Sequence, residues 1–227
     1  MSTATLMKLQ QDLKDAGYYK GIVDGLWGNV SNSAWQAALA DAKQSRSTSV
    51  DNLDIAWSAK VSPAFVARVK KMAADLKMTY PNAASELMSV MAFETGRTFS
   101  PTIKNGAGAP YYGLIQFGAA AAQDIGTTID ALVKMTAEQQ LEYVYLYFKP
   151  LAGKISNVSD LYMKVLWPAA VGKPDDYNLF TEGTKAYLQN KGLDLNKDGK
   201  ITKAEAAAKV VAMLNEGMKP ENRRTLA

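Results

Sequence analysis

The stretch SVMAFETGRTFSP, residues 89–101, ends an apolar run on a single carboxylate, Glu94, and stops it with a glycine. Upstream, Pro81-Asn82 can open a helix whose apolar face carries Ala84, Leu87, Met88 and Met91, and the same face continues to Glu94 and Thr95. The spacing predicts a helix over 83–95 with Glu94 pointing inward at its last turn. Desolvation beside Met91 and Phe93 disfavours the charged form, and the negative end of the helix dipole repels a carboxylate. Both raise the pKa toward the range a general acid needs near neutral pH. Periodicity alone equally allows a glutamate that turns outward at a frayed helix end.

Helical periodicity continues on both sides of this stretch. It covers 63–77, 119–125, 137–148, 158–167, 181–191 and 203–216, with Ser62-Pro63 as a start signal and a short hairpin as an option near 98–117. No run of alternating strands and no internal repeat is visible. At the N-terminus, Leu6, Leu9 and Leu13 predict a helix over 4–16. AGYYKGIVDGLWGN then forms a compact loop, and a second helix, capped by Ser31 or Asn32, closes near residue 43. Leu9, Leu13 and Trp35 are expected in the core of this small bundle, whereas Tyr18, Tyr19 and Trp27 either close the loop or offer aromatic faces to a ligand. Asp24 can bond backbone amides of its own turn. The serine-rich QSRSTSVDN, 44–52, reads as linker. The expected architecture is mainly α: a small helical bundle at 1–45, a linker at 46–61 and a larger α-helical domain at 62–227.

Composition narrows the chemistry. The 227 residues include neither histidine nor cysteine, which removes histidine-based triads, thiol nucleophiles, disulfides and ordinary zinc sites. Catalysis then falls to carboxylates, hydroxyls, lysine or a bound ion. A net charge of +4 without a basic stripe argues against nucleic acid as partner. The longest apolar runs fall short of the roughly 18 residues of a membrane span, so no stable membrane insertion is expected.

DLNKDGKITKAE, residues 194–205, fits the EF-hand loop at every constrained position. Asp194, Asn196 and Asp198 stand at positions 1, 3 and 5, Gly199 at 6 and Ile201 at 8, and Glu205 is the closing carboxylate. Lys200 would supply its backbone carbonyl. Calcium is the ion this oxygen set suits, and Lys197, Lys200 and Lys203 temper the expected affinity. A single such loop in an enzyme reads as a structural clip. No organic cofactor is expected.

Two resemblances extend this reading. LQQDLKDAGYYKGIVDGLWGNVSNSAWQ resembles the peptidoglycan-binding domain common in cell-wall hydrolases, through Leu9-Gln10, Leu13, Gly17-Tyr18-Tyr19, Gly21, Asp24-Gly25, Gly28, Ala34 and Trp35-Gln36. FETGRTFSPTIKNGAGAPYYGLIQFG resembles the catalytic core of goose-type lysozymes and soluble lytic transglycosylases. EQQLEYVYLYFKP and VSDLYMKVLWPAAVGKP look like later helices of modular bacteriophage endolysins in that group. Together they cover nearly the full chain.

The resemblance implies an endolysin that cleaves the β-1,4 bond between N-acetylmuramic acid and N-acetylglucosamine. Glu94 would act as acid, then base, without an obligatory second carboxylate nucleophile. Gln116 would contact sugar near the scissile bond, Gly113 would let the backbone approach the glycan, and Tyr112, preferred over Tyr111, would stack on it. Glu142 would orient water or tune Glu94, Tyr162 would line the groove, and Tyr18, Tyr19, Asp24 and Trp27 would bind wall. The implied partner is peptidoglycan and the implied state a monomer. The protein would be made in the host cytoplasm and reach the wall through a holin-type lesion. Attack by water (muramidase) and by the C6 hydroxyl (lytic transglycosylase) remain open. So do a non-catalytic wall-binding or virion protein and a calcium-regulated interaction protein.

Overall fold

The computed structural model describes residues 2–50, 52–106 and 108–226, side chains of 40 and 42–50 excepted. The protein is mainly helical, and none of the described helices is long and apolar enough to cross a membrane. Two compact units divide the chain: one holds the residues up to Leu53 together with Leu226, the other Asp54–Thr225.

In the first unit α1 (Thr3–Asp15) packs against α2 (Asn29–Val50). Helix α2 departs from expectation at both ends. It begins at Asn29, so Ser31 lies inside its first turn, where its hydroxyl accepts from Gln10 Nε2 at 3.1 Å and does not cap. It also runs to Val50, so the serine-rich segment expected as an irregular linker is helical over 46–50. Leu13, Tyr19 and Ala34 form the small core, with Leu9 half-buried against it and Trp35 exposed rather than central. Gln10, fully buried, is the polar hub of the loop: its Oε1 accepts the amides of Asp24 and Gly25 at 3.1 and 2.8 Å, and its Nε2 donates to Leu26 O at 2.9 Å. Gly25 has φ +73°, and a Cβ there would meet Thr3 at 2.5 Å, so conformation and space both exclude a side chain.

The second unit is built on α3 (Pro63–Asp75), α4 (Ala83–Glu94), α5 (Ala119–Asp124), α6 (Ile129–Leu132), α7 (Ala137–Phe148), α8 (Val158–Leu166), α9 (Lys185–Asn190) and α10 (Lys203–Gly217). Strands β1 (Asn178–Thr181) and β2 (Lys200–Thr202) pair antiparallel, with Phe180 opposite Ile201. The sequence signalled neither strand. The helix expected over 181–191 is split into β1, a turn and the shorter α9, because Thr181 joins the ladder and Thr184 caps a new helix start. The hairpin near 98–117 shrinks to two isolated bridges, Lys104 with Tyr112 and Tyr112 with Phe117.

Helix α4 is the axis of the unit. Ser85 through Ala92 are all buried, so the helix is covered on every side rather than along one stripe, as befits a helix surrounded by others. Helices α3, α8 and α10 pack on it, α3 also against α7 and α10 also against α8. Each start is fixed by an N-cap side chain: Ser62 for α3, Asn157 for α8, and capping boxes Thr136/Gln139 for α7 and Thr202/Glu205 for α10.

Candidate functional site

Glu94 is the last residue of α4. The helix is tied off just beyond it: Thr95 Oγ1 donates to Met91 O at 2.7 Å and accepts the Phe99 amide at 3.0 Å, while Arg97 N closes on Ala92 O at 2.7 Å. This termination holds Glu94 in place while leaving its carboxyl without hydrogen bond or ion pair among the described residues. Burial pushes its pKa up to about 8, and no partner brings it back. At neutral pH the group is a protonated acid. The inward reading of the sequence agrees with this burial, with desolvation as the cause of the shift.

Two phenols flank it. Tyr162, from α8, is buried and stands edge-on to Phe93. Tyr147, from α7, donates to Lys164 O at 2.7 Å and packs edge-on to Phe117. Both are raised by burial first and the Glu94 carboxylate second, Tyr147 to about 12 and Tyr162 further. The Tyr162 hydroxyl makes no hydrogen bond among the described residues. Tyr147 did not stand out in the sequence, where it sits in an aromatic run, EYVYLYF, whose members differ only in the face they occupy.

The GLIQF segment forms the neighbouring wall. Gln116 lies at φ +54°, which turns its side chain back so that Nε2 donates to Gly113 O at 3.2 Å. Its Oε1 is buried with no hydrogen-bond partner. Beside it is a cavity of about 290 Å³ lined by Tyr111, Gln116, Phe117, Ala119, Tyr147 and Val165. Tyr111, 46% exposed, forms part of the lining, while Tyr112 is engaged in the bridges to Lys104 and Phe117. Tyr111 thus lines the cavity, while the half-buried Tyr112 does not.

Gly113 also has a different reason from the one expected. It sits at φ +79°, and an added Cβ would meet Gln140 Oε1 at 2.4 Å. Gln140, fully buried on α7, holds the whole segment: its Oε1 accepts the Leu114 amide at 2.7 Å and its Nε2 donates to Pro101 O and Leu132 O at 3.0 and 3.1 Å. The close approach that demands glycine is to this side chain.

Glu142 does not join Glu94. It makes a bidentate pair with Arg68 of α3, and Arg68 holds its carboxyl below the ordinary range. Its side chain is 58% exposed, and its partner is Arg68 rather than Glu94. A carboxylate that escaped sequence reading is Glu86, buried on α4, pushed up to about 7 by desolvation and accepting the Tyr80 hydroxyl at 2.8 Å.

In the first unit, Tyr19 is buried with its hydroxyl donating to Ile22 O at 2.8 Å, and Asp24 Oδ1 accepts the Leu26 amide at 2.9 Å. Both take part in holding the loop, Tyr19 from a buried position and Asp24 from an exposed one. Tyr18, bonded to Asp41 at 3.0 Å, and Trp27 are half-buried and keep open faces.

The 194–205 loop has the backbone its motif demands. Lys197 and Gly199 take positive φ, the Gly199 amide reaches Asp194 Oδ2 at 3.1 Å, and Ile201 pairs into the sheet. Asp198 accepts the Lys200 amide at 2.8 Å and Asn196 the Asp198 amide at 2.9 Å. Glu205 reaches back toward the Asn196 amide at 3.4 Å. The side chains rest on the loop's amides and on hydroxyls, Asp194 Oδ2 also accepting from Tyr187 of α9 at 2.6 Å, and among the described residues no three acidic side chains converge as a metal site. The oxygen donors suit a hard cation, and they would have to rotate off those amides to surround one.

Comparison with known protein families, with curated proteins and with solved structures found no match for this chain.

Proposed function

We propose that the chain is a peptidoglycan glycosidase that cleaves the β-1,4 bond after N-acetylmuramic acid, with Glu94 as proton donor to the leaving oxygen. One observation carries the reading: a carboxyl without hydrogen bond or ion pair among the described residues is raised to about 8 by burial, and Tyr147, which feels its charge, lines a cavity that Gln116 also lines. A protonated carboxyl gives its proton to the glycosidic oxygen as the bond breaks and, once ionised, takes a proton from the attacking hydroxyl. Gln116 Oε1 would accept from a sugar hydroxyl or acetamide N–H. Tyr111 offers a ring to a sugar face. Tyr162 and Tyr147, which both feel the charge of Glu94, would set the surroundings of the acid.

The smaller unit would hold the enzyme on wall polymer through Tyr18 and Trp27. Calcium, if bound, would neutralise the carboxylates of Asp194, Asp198 and Glu205 and draw the loop closed, with Asn196 and the Lys200 carbonyl completing the oxygen set. The setting is release of a bacteriophage by host-wall lysis.

Mass spectrometry of the fragments released by the wild-type chain from purified peptidoglycan tests the reading. Muramic reducing ends establish hydrolysis, and 1,6-anhydro ends establish internal attack. A chain that binds wall and releases no saccharide would overturn the proposal in favour of a binding protein.

A further inference from the structure

Lys203 is the tenth residue of the 194–205 loop and the first of α10, yet its side chain is almost wholly buried. Its Nζ donates to Asp160 Oδ1 at 2.5 Å and to Lys173 O at 2.6 Å. Asp160 is equally buried on α8, and its two oxygens also take the Gly172 amide at 2.8 Å and the Ser156 hydroxyl at 3.1 Å. Apolar residues of similar volume would hold this interface at least as well as a desolvated ion pair, so stability alone does not account for it. A charged pair of this kind does impose one register between the elements it joins.

Those elements are the loop and the groove. Two residues after Asp160, the same helix carries Tyr162, packed on Phe93 beside Glu94. Two residues after Lys203, Glu205 is the loop's closing carboxylate, and it sits in the same helical turn through its bonds to Thr202 at 2.8 and 2.9 Å. Lys203 and Glu205 therefore share the first turn of α10, and Lys203 ties that turn to α8.

We propose that the buried Lys203–Asp160 pair couples the oxygen-rich loop to the groove, so that calcium held by the loop fixes α8 and the place of Tyr162 beside Glu94. Lys203 and Asp160 are positioning residues on this account and touch no substrate. The proposal rests on the glycosidase reading for the meaning of the groove, but its test does not need cleavage.

Amide hydrogen exchange is measured on the full chain with calcium chloride or with chelator, for wild type and Asp160→Leu/Lys203→Met. In wild type, calcium is expected to slow exchange both at 194–205 and at 158–166, the latter about fivefold, the lower end of ordinary coupling between sites. In the double variant only 194–205 responds. Asp160→Asn, which keeps the shape and removes the charge, should behave likewise and serves if the double variant does not fold. Equal protection of 158–166 in wild type and variants would overturn the proposal. So would a wild type whose loop responds while α8 does not, or one in which calcium changes neither. Wall digestion in parallel separates the two readings: exchange coupling without saccharide release sinks the glycosidase and leaves the coupling standing.

Discussion

Tyr162 stands edge-on to Phe93, with ring centroids 5.6 Å apart and planes at 87°. The contact brings a phenol of α8 to the carboxyl that follows Phe93 on α4. Tyr147 of α7 also feels the charge of that carboxyl.

The two phenols should separate on substitution. Tyr162→Phe loses no hydrogen bond within the protein, so thermal stability should hold while turnover on peptidoglycan falls about tenfold or more. Tyr147→Phe loses the bond to Lys164 O and should cost about 1 kcal/mol in denaturant unfolding. A Tyr162→Phe chain with full turnover would leave that hydroxyl without a part in the chemistry.

Glu94 sets a pH dependence in both activity and stability. Turnover requires the protonated acid and should fall as pH rises through about 8. Its folded pKa lies above the unfolded value, so the native state binds the extra proton and stability declines between about pH 4.5 and 8. Glu94→Gln removes that decline and should be roughly 1–3 kcal/mol more stable than wild type at pH 9, the nominal conversion being reduced because the carboxyl is partly exposed. Denaturant midpoints of both chains across pH 4–9 provide the check.

Glu86 follows the same sign in a different window. Its carboxyl, raised to about 7, should cost stability progressively from about pH 4.5 to 7. Glu86→Gln keeps a partner for Tyr80 and should melt above wild type at pH 8 and level with it at pH 4. A difference between the two chains that is the same at pH 4 and pH 8 would contradict the assignment.

Gln140 holds the groove wall with three hydrogen bonds from a fully buried side chain. Gln140→Ala strands the Leu114 amide and two carbonyls and should destabilise by about 2–4 kcal/mol. Gly113→Ala meets the same side chain and a positive φ, and should lower both stability and turnover. Unfolding curves and saccharide release measured together would show the two effects in one variant.

How much of this was legible depended on which force decided each feature. Long helices were readable because their apolar spacing repeats and their caps are local: Ser62, Thr136, Asn157 and Thr202 all stand where helices begin. The β1 strand was not, since NLFT acquires its conformation only by pairing with residues 200–202. Glu94 could be singled out because a carboxylate on an apolar face is costly unless it has a use. Tyr147 and Gln140 escaped because an aromatic or amide within an amphipathic helix gives no local sign of which tertiary neighbour it meets. Glu142 illustrates the converse. Its place beside a groove came from resemblance alone, and Arg68, 74 residues away in sequence, claims it. The oxygen-rich loop was legible in backbone shape, as spacing dictates, while the burial of Lys203 depends on a helix that the loop itself does not encode.

The most direct measurement compares turnover on purified peptidoglycan for wild type, Glu94→Gln and Glu142→Gln at pH 7, with circular dichroism confirming that each is folded. The expected result is a loss of about 10²–10⁴ for Glu94→Gln, the span of general acid catalysis, and a change within about threefold for Glu142→Gln. A Glu94→Gln chain that releases saccharide at the wild-type rate, or a Glu142→Gln chain that loses as much as Glu94→Gln should, would contradict the central claim that this single buried carboxyl carries the chemistry.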